Sequence, residues 1–384
     1  MSFWSTHPKV RWMAPVAAVA VVAVTPYAVS ASADSGLPSR TAAQLLADVQ
    51  RSDVATMSGT IVESANLGLP SLPGIGGSNG SADLTSLVSG SHTLRIWVDG
   101  PDRQRLAVVG DRGESDLIRN GTTLWTWSSA TKTATKRTID AGDKKASTPT
   151  ALPTTPQDAA GEALKAIDPT TTVTTSGTAT VAGRAAYELV LTPKTKATRV
   201  AQVRIAIDGV KHVPLRVQVY STQLAKPAFE VGFTAVDFGK PDARQFAFTP
   251  APGTTVKDGN APTADSPKAP APTTKPPTKP STKELADKPT VVGTGWSTVV
   301  VAKLPADALA GLTGAAGKAP TDKGSDQSSA QMGAILKLLP KVSGAWGSGH
   351  LLSGTLFSAV LTDDGRVAIG AVAPAQLYAA LAAR

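Results

Sequence analysis

Cysteine is absent from the 384 residues, which excludes disulfides, thiol nucleophiles, cysteine-ligated metal and a lipid carried on the protein's own cysteine. Histidine is scarce. His7 lies in the N-terminal leader, and His92, His212 and His350 stand too far apart for two of them to share one helical face around zinc. Basic clusters are missing as well: the formal charge is +9 and the pI 9.6, but Lys and Arg are scattered singly through Thr-rich stretches. That pattern gives no nucleic-acid surface and reads as solubility, with a weak attraction to anionic lipid headgroups. What is present suffices for a substantial core, because 41% of the residues are hydrophobic.

Lys9 and Arg11 precede an apolar run from Trp12 to Val24, and Ala31-Ser32-Ala33 offers the small residues a signal peptidase requires. The run is shorter than the roughly 20 residues that span a bilayer comfortably. Residues 1–33 therefore read as a signal peptide. They place the protein in the periplasm or another extracytoplasmic part of the envelope, with retention at the membrane by an uncleaved leader as the alternative. No catalytic constellation emerges. Gly76-Gly77-Ser78-Asn79-Gly80 matches a nucleophile elbow in letters alone, without a strand before it or a helix after it. Asp363 and Asp364 are adjacent turn residues. The expectation is a protein that is not an enzyme and needs no cofactor and no metal.

Thr41 to Ser52 has helical periodicity, with Ala42, Leu45, Leu46 and Val49 on one stripe. Met57 to Ser64 and His92 to Val98 read as strands. Between them, Ala65 to Gly90 mixes Gly, Pro and Ser with Leu67, Leu69, Leu72 and Ile75, which reads either as a poorly ordered insertion or as a greasy flap over an apolar mouth. From Pro101 to Ile139 the chain reads as a meander. Asn120-Gly121 supplies a tight turn, and alternation puts Trp125 and Trp127 on one face. A packed core or an apolar ligand must cover that face. Thr155-Pro156-Gln157-Asp158 starts a helix with Leu164 and Ile167 on its apolar stripe. Strands follow at 171–181, 185–191, 201–208, 215–220 and 229–238. Strands in series with two inserted helices give an α+β class with a large antiparallel sheet.

Four segments in order resemble the LolA lipoprotein carrier family. They are Leu94 to Arg103; Asp116 to Trp127; Tyr187-Glu188-Leu189-Val190-Leu191-Thr192-Pro193-Lys194; and Phe246 to Gly253, continuing to Val256 and Asp258. The resemblance covers Thr41 to about Gly259; the Ala65 to Gly90 insertion and everything after Gly259 depart from it. It implies an incomplete antiparallel barrel, here of about eleven strands, closed by helices around an apolar cavity for acyl chains. On that reading the cavity is lined by Trp97, Trp125, Trp127, Tyr187, Leu189, Ile205, Val217 and Phe233. The lid is Leu45, Leu46, Val49, Leu67, Leu69, Leu72, Ile75, Leu164 and Ile167. Packing accounts for the aromatic residues as readily as ligand contact does.

Residues 260–289 are Pro, Thr, Lys and Ala, a composition that reads as a semi-rigid tether between a 34–259 domain and a small α+β domain at 290–384. In the latter, Thr290 to Leu304 and Leu351 to Thr362 read as strands, Arg366 to Val372 as a hairpin partner, and Gln331 to Leu339 and the stretch from Pro374 as helices. Leu356-Phe357-Ser358-Ala359-Val360 is similar to the C-terminal domain of the RseB and MucB sigma-factor regulators. Two partner sets follow from the resemblances: acyl chains of a lipid or lipoprotein with an ABC transporter or other membrane protein, or lipid together with an anti-sigma factor.

Overall fold

The computed structural model describes residues 36–69, 90–110, 113–139, 155–165, 167, 169–260, 289–304, 336 and 338–383. The proposed signal peptide, Leu72, Ile75 and nearly all of the 260–289 tether lie outside them. Helix α1 (Ala42–Arg51) opens on a capping box: Thr41 accepts from the Gln44 N–H while the Gln44 side chain accepts from the Thr41 N–H. Strands β1 (Thr56–Ala65), β2 (Gly90–Asp99), β3 (Arg103–Gly110), β4 (Gly113–Asn120), β5 (Thr123–Ser128) and β6 (Thr133–Thr138) form the expected meander. Helix α2 (Pro156–Lys165) begins with Thr155 accepting from the Asp158 N–H. After it come β7 (Thr171–Val181), β8 (Arg184–Pro193), β9 (Val200–Asp208), β10 (Pro214–Ser221), β11 (Pro227–Asp237) and β12 (Thr255–Asp258).

These strands make one open 12-stranded sheet in the order β12-β6-β5-β4-β3-β2-β1-β11-β10-β9-β8-β7. All pairings are antiparallel except β12 with β6. The sheet curls, since β7 approaches β11 four strands away, but it does not close into a barrel. The class is therefore the expected one, with one strand more than anticipated. Helices α1 and α2 lie on the inner face. Leu45, Ala159 and Ala160 pack there against Ile61, Leu94, Leu189, Ile205, Leu215 and Phe233. Each large side chain so buried is worth about 1.5–3 kcal/mol.

The stretch from Phe246 to Asp258, which resembles the carrier family's final strand, is a strand only at β12. Residues 243–246 form a 3-10 turn, and the chain from there to Phe248 lies over the outer face. Phe246 is buried there, as are Ala107, Ile118 and Ala134. The outer face thus has a small core of its own.

In the C-terminal region two expected strands are each broken. Thr290 to Leu304 divides into β13 (Thr290–Val292) and β14 (Val299–Lys303), and Leu351 to Thr362 divides between β16 (Gly347–Ser353) and β17 (Ser358–Thr362). Gly293 has a φ of 85°, and a Cβ there would meet the Ser297 carbonyl at 2.7 Å, so the chain reverses where composition suggested continuity. With β15 (Lys341–Gly344), β18 (Arg366–Gly370) and helix α3 (Pro374–Ala382) these build a second, six-stranded sheet. Of the expected helix at 331–339 the described residues retain helical backbone at 336 and 338.

The small sheet is docked on the large one. Trp296, Leu356, Phe357 and Ala371 pack against the large core. The Trp296 indole N–H donates to Thr171 Oγ1 at 2.8 Å, and the Thr355 N–H donates to the Leu67 carbonyl at 2.6 Å. Arg199 is buried at the junction. Its Nε donates to Val372 O at 3.2 Å, Nη1 to Gly354 O at 2.9 Å and Nη2 to Ser353 Oγ at 2.9 Å.

Candidate functional site

A cleft of about 260 Å³ opens between the two helices and the inner face of the sheet. Val49, Ser52 and Val54 form one wall, at and beyond the end of α1; Gln157, Ala160, Gly161 and Leu164 of α2 form the other; Met57, Val213 and Pro214 make the floor. The space exists because α2 presents small residues where a helix usually presents a leucine. A Cβ added at Gly161 would meet nothing within 4 Å. Seven of these ten lining residues are aliphatic or Met, and the polar groups are few. Gln157 Nε2 lies 4.0 Å from the Met57 sulfur, and Ser52 Oγ donates to the Lys211 carbonyl at 3.2 Å. An apolar floor with a few polar groups suits an amphiphile. The volume sits at the lower edge of the roughly 300–1,000 Å³ usual for small-molecule pockets. Its size matches a short length of hydrocarbon and is too small for a long acyl chain with the helices as they stand.

The eight residues expected to line one cavity do not share a face. Tyr187, Leu189, Ile205, Val217 and Phe233 project inward and are buried against one another and the helices, with Tyr187 OH donating to the Pro38 carbonyl at 2.8 Å. Register places Trp97, Trp125 and Trp127 on the opposite face, in rows with Arg105, Ile118 and Asp116. Trp125 and Trp127 pack against Phe248 with ring centroids 5.2 and 6.3 Å apart, and the Arg105 guanidinium stands 5.2 Å over Trp97. The alternation of Leu94, Ile96 and Val98 with Arg95 and Trp97 carried this signal: the aliphatic set claims the inner face, so Trp97 must point outward.

Of the expected lid, Leu45, Leu46, Val49, Leu67, Leu69, Leu164 and Ile167 all belong to the inner core or pack against it. Val49 and Leu164 line the cleft. Leu67 also anchors the docked sheet through its carbonyl.

Sequence reasoning missed a buried polar pair on the inner face. Glu63 and His92 are cross-strand partners, only 1% and 7% exposed, with Oε2 3.0 Å from Nδ1. Burial pushes the Glu63 carboxyl up to about 8 and pulls the His92 imidazole down. At neutral pH the carboxyl therefore keeps its proton and shares a hydrogen bond with a neutral imidazole. Oε1 of Glu63 has no partner. Among the described residues no group of three His, Asp or Glu side chains is arranged to hold a metal, and no helix is long and apolar enough to cross a membrane.

A family model described as a predicted periplasmic protein (DUF2092) matches residues 82–257. No curated protein matches. Among solved structures, MucB in its complex with MucA from Pseudomonas aeruginosa is similar over 88% of this chain and 96% of that one, at 14% identity and a TM-score of 0.40. A LolA superfamily protein from Nitrosomonas europaea is similar over 55% of this chain and 99% of that one, at 9% identity and a TM-score of 0.20. An outer membrane lipoprotein-sorting protein domain from Vibrio parahaemolyticus covers 53% of this chain and 94% of its own, at 10% identity and a TM-score of 0.20.

Proposed function

We propose that this is an exported envelope protein that shelters the hydrocarbon of a lipid or lipoprotein in the cleft between α1, α2 and the inner face of the large sheet. The cleft carries the reading: it is the apolar opening into the largest core of the molecule, and small residues on α2 keep it open. Each methylene moved from water into it contributes about 0.8 kcal/mol, so burial alone supplies affinity. The match to a family described as periplasmic and the apolar leader at 1–33 support export. No nucleotide motif accompanies the cleft. Loading would draw its energy from a membrane partner such as an ABC transporter. Native mass spectrometry and lipid extraction on the full chain purified under mild conditions test this. Co-purified acyl-bearing species are expected, and protein that emerges free of them at every preparation would end the proposal.

The docked small sheet favours a second reading, in which occupancy of the cleft is sensed and passed to a partner of the 290–384 region such as an anti-sigma factor. Phe357, Leu356 and Trp296 close one end of the core that the cleft opens into, so separation of the helices reaches them through contiguous packing. On this reading, lipid loading changes hydrogen exchange at 353–357. A carrier alone leaves that segment unchanged.

A further inference from the structure

The covering segment around Phe246 and Phe248 protects β3 to β6 on the outer face but stops short of the sheet's centre. There, over β11, β1 and β2, lies a depression of about 310 Å³. Its origin is local. Thr60 pairs with Ala235 and Ile61 with Phe233, which leaves Thr234 as the extra residue of a β-bulge. Bulges bend a strand and re-aim its side chains, and this one coincides with the small residues Ser58, Gly59 and Thr60.

Register fixes what surrounds the depression. Asp237, Ser58 and Trp97 stand in one cross-strand row, and Ala235, Thr60 and Arg95 in the next. Arg105 is already committed: it lies over the Trp97 ring, donates to Asp116 at 2.9 Å and reaches Glu114 at 3.4 Å. Arg95 is not committed. It is exposed and, among the described residues, makes no hydrogen bond or ion pair, acting on Glu114 only through space. Asp237 uses one carboxylate oxygen to accept the Gly239 N–H at 2.7 Å.

We propose that this depression binds an acidic sugar, with the ring against the part of Trp97 that lines the depression beside Arg105, its carboxylate on Arg95, and its hydroxyls on Ser58, Thr60 and the free oxygen of Asp237. Each part is needed to explain the set. A guanidinium alone answers any anion, but a bare anion has no use for the indole and is opposed by Asp237 across the depression. A hydrocarbon tail has no use for two hydroxyls, a carboxylate and a free arginine. A sugar ring offers apolar C–H surface to the indole and donor hydroxyls to the carboxylate, and the acid group takes the arginine. The site is on the opposite face from the hydrocarbon cleft and does not depend on it.

The test is titration of the full chain by calorimetry and saturation-transfer NMR with glucuronic acid, with glucose and acetate as comparisons. Glucuronic acid is expected to bind at least about tenfold more tightly than either. Arg95→Gln abolishes its advantage over glucose, and Thr60→Val weakens both sugars. Because Arg95 is exposed and has no ion pair among the described residues, Arg95→Gln leaves the unfolding midpoint unchanged, so loss of binding is not loss of fold. Equal binding of glucuronic acid and acetate, equal binding of glucuronic acid and glucose, or an undiminished preference in Arg95→Gln each overturns the proposal.

Discussion

Glu63 Oε2 and His92 Nδ1 are 3.0 Å apart on adjacent strands, and neither side chain has another charged group shifting it: burial is the cause at both. Both groups are neutral in that apolar setting. Protonating the imidazole places a buried cation there, and ionising the carboxyl places a buried anion.

That arrangement fixes a pH dependence. The Glu63 carboxyl is raised from 4.5 to about 8 by folding, so its contribution to stability is complete below pH 4.5 and is lost as pH rises through about 8. The His92 imidazole is lowered from 6.5, so its contribution is lost as pH falls below 6.5. Glu63→Gln keeps a donor toward Nδ1 but cannot ionise. Between pH 7 and 9, above the His92 transition, the wild-type unfolding midpoint is expected to fall while that of Glu63→Gln stays flat, a divergence of about 1 kcal/mol in urea titrations. Parallel curves would show that Glu63 does not carry the buried proton.

Arg199 serves the junction between the sheets with a cation and no carboxylate. Its three acceptors are two carbonyls and a hydroxyl, and burial pulls its pKa down from the ordinary arginine value. Arg199→Ala leaves the buried Gly354 carbonyl without its donor, while the Val372 carbonyl keeps Ser358 Oγ at 2.9 Å and the exposed Ser353 turns to water, at a cost of about 1–3 kcal/mol. Faster hydrogen exchange at 353–355 and 371–372 is expected. Arg199→Lys should rescue little, since an ammonium lacks the planar fork that reaches three acceptors on two segments. Full rescue by Lys would mean that charge alone holds the junction.

Gly161→Phe separates the cleft from the fold. The added Cβ meets nothing within 4 Å, and glycine is a poor helix former, so the variant should be as stable as wild type or slightly more so. Its ring occupies the cleft. Loss of co-purified lipid with an unchanged midpoint is the expected pair of results, and lipid retained at wild-type levels would place the ligand elsewhere.

Phe246→Ala tests the second core. Phe246 is 1% exposed and covers the outer face from a 3-10 turn, so its truncation should cost about 3–5 kcal/mol, comparable to an inner-face phenylalanine. Tryptophan emission should shift to the red as Trp125 and Trp127 lose their cover. A cost below about 1 kcal/mol would mean that the outer face is not a core.

Much of the architecture was legible in the chain. Period-two alternation located most of the strands of the large sheet, and the apolar stripe of 41–52 and the Thr155 cap located its two helices, because those signals depend on residues a few positions apart. Alternation also held the face assignment of Trp97, which the resemblance to a carrier overrode. Other features had no local trace. Gly293 and Gly354 break strands that composition would continue, because the chain must reverse or pass another backbone: a Cβ at Gly354 would meet the Leu67 carbonyl at 2.9 Å.

The sequence by itself determined the class, the succession of strands along the chain, the two helices of the large domain and the absence of thiol chemistry, since these follow from spacing and residue type. Only the tertiary structure decided which face each tryptophan serves, that Glu63 meets His92, that Arg199 finds its acceptors more than 150 residues away, and that a cleft opens beside Gly161. Strand pairing and layer packing join residues distant in the chain. Their energy belongs to pairs of positions, and no single stretch of sequence contains both members.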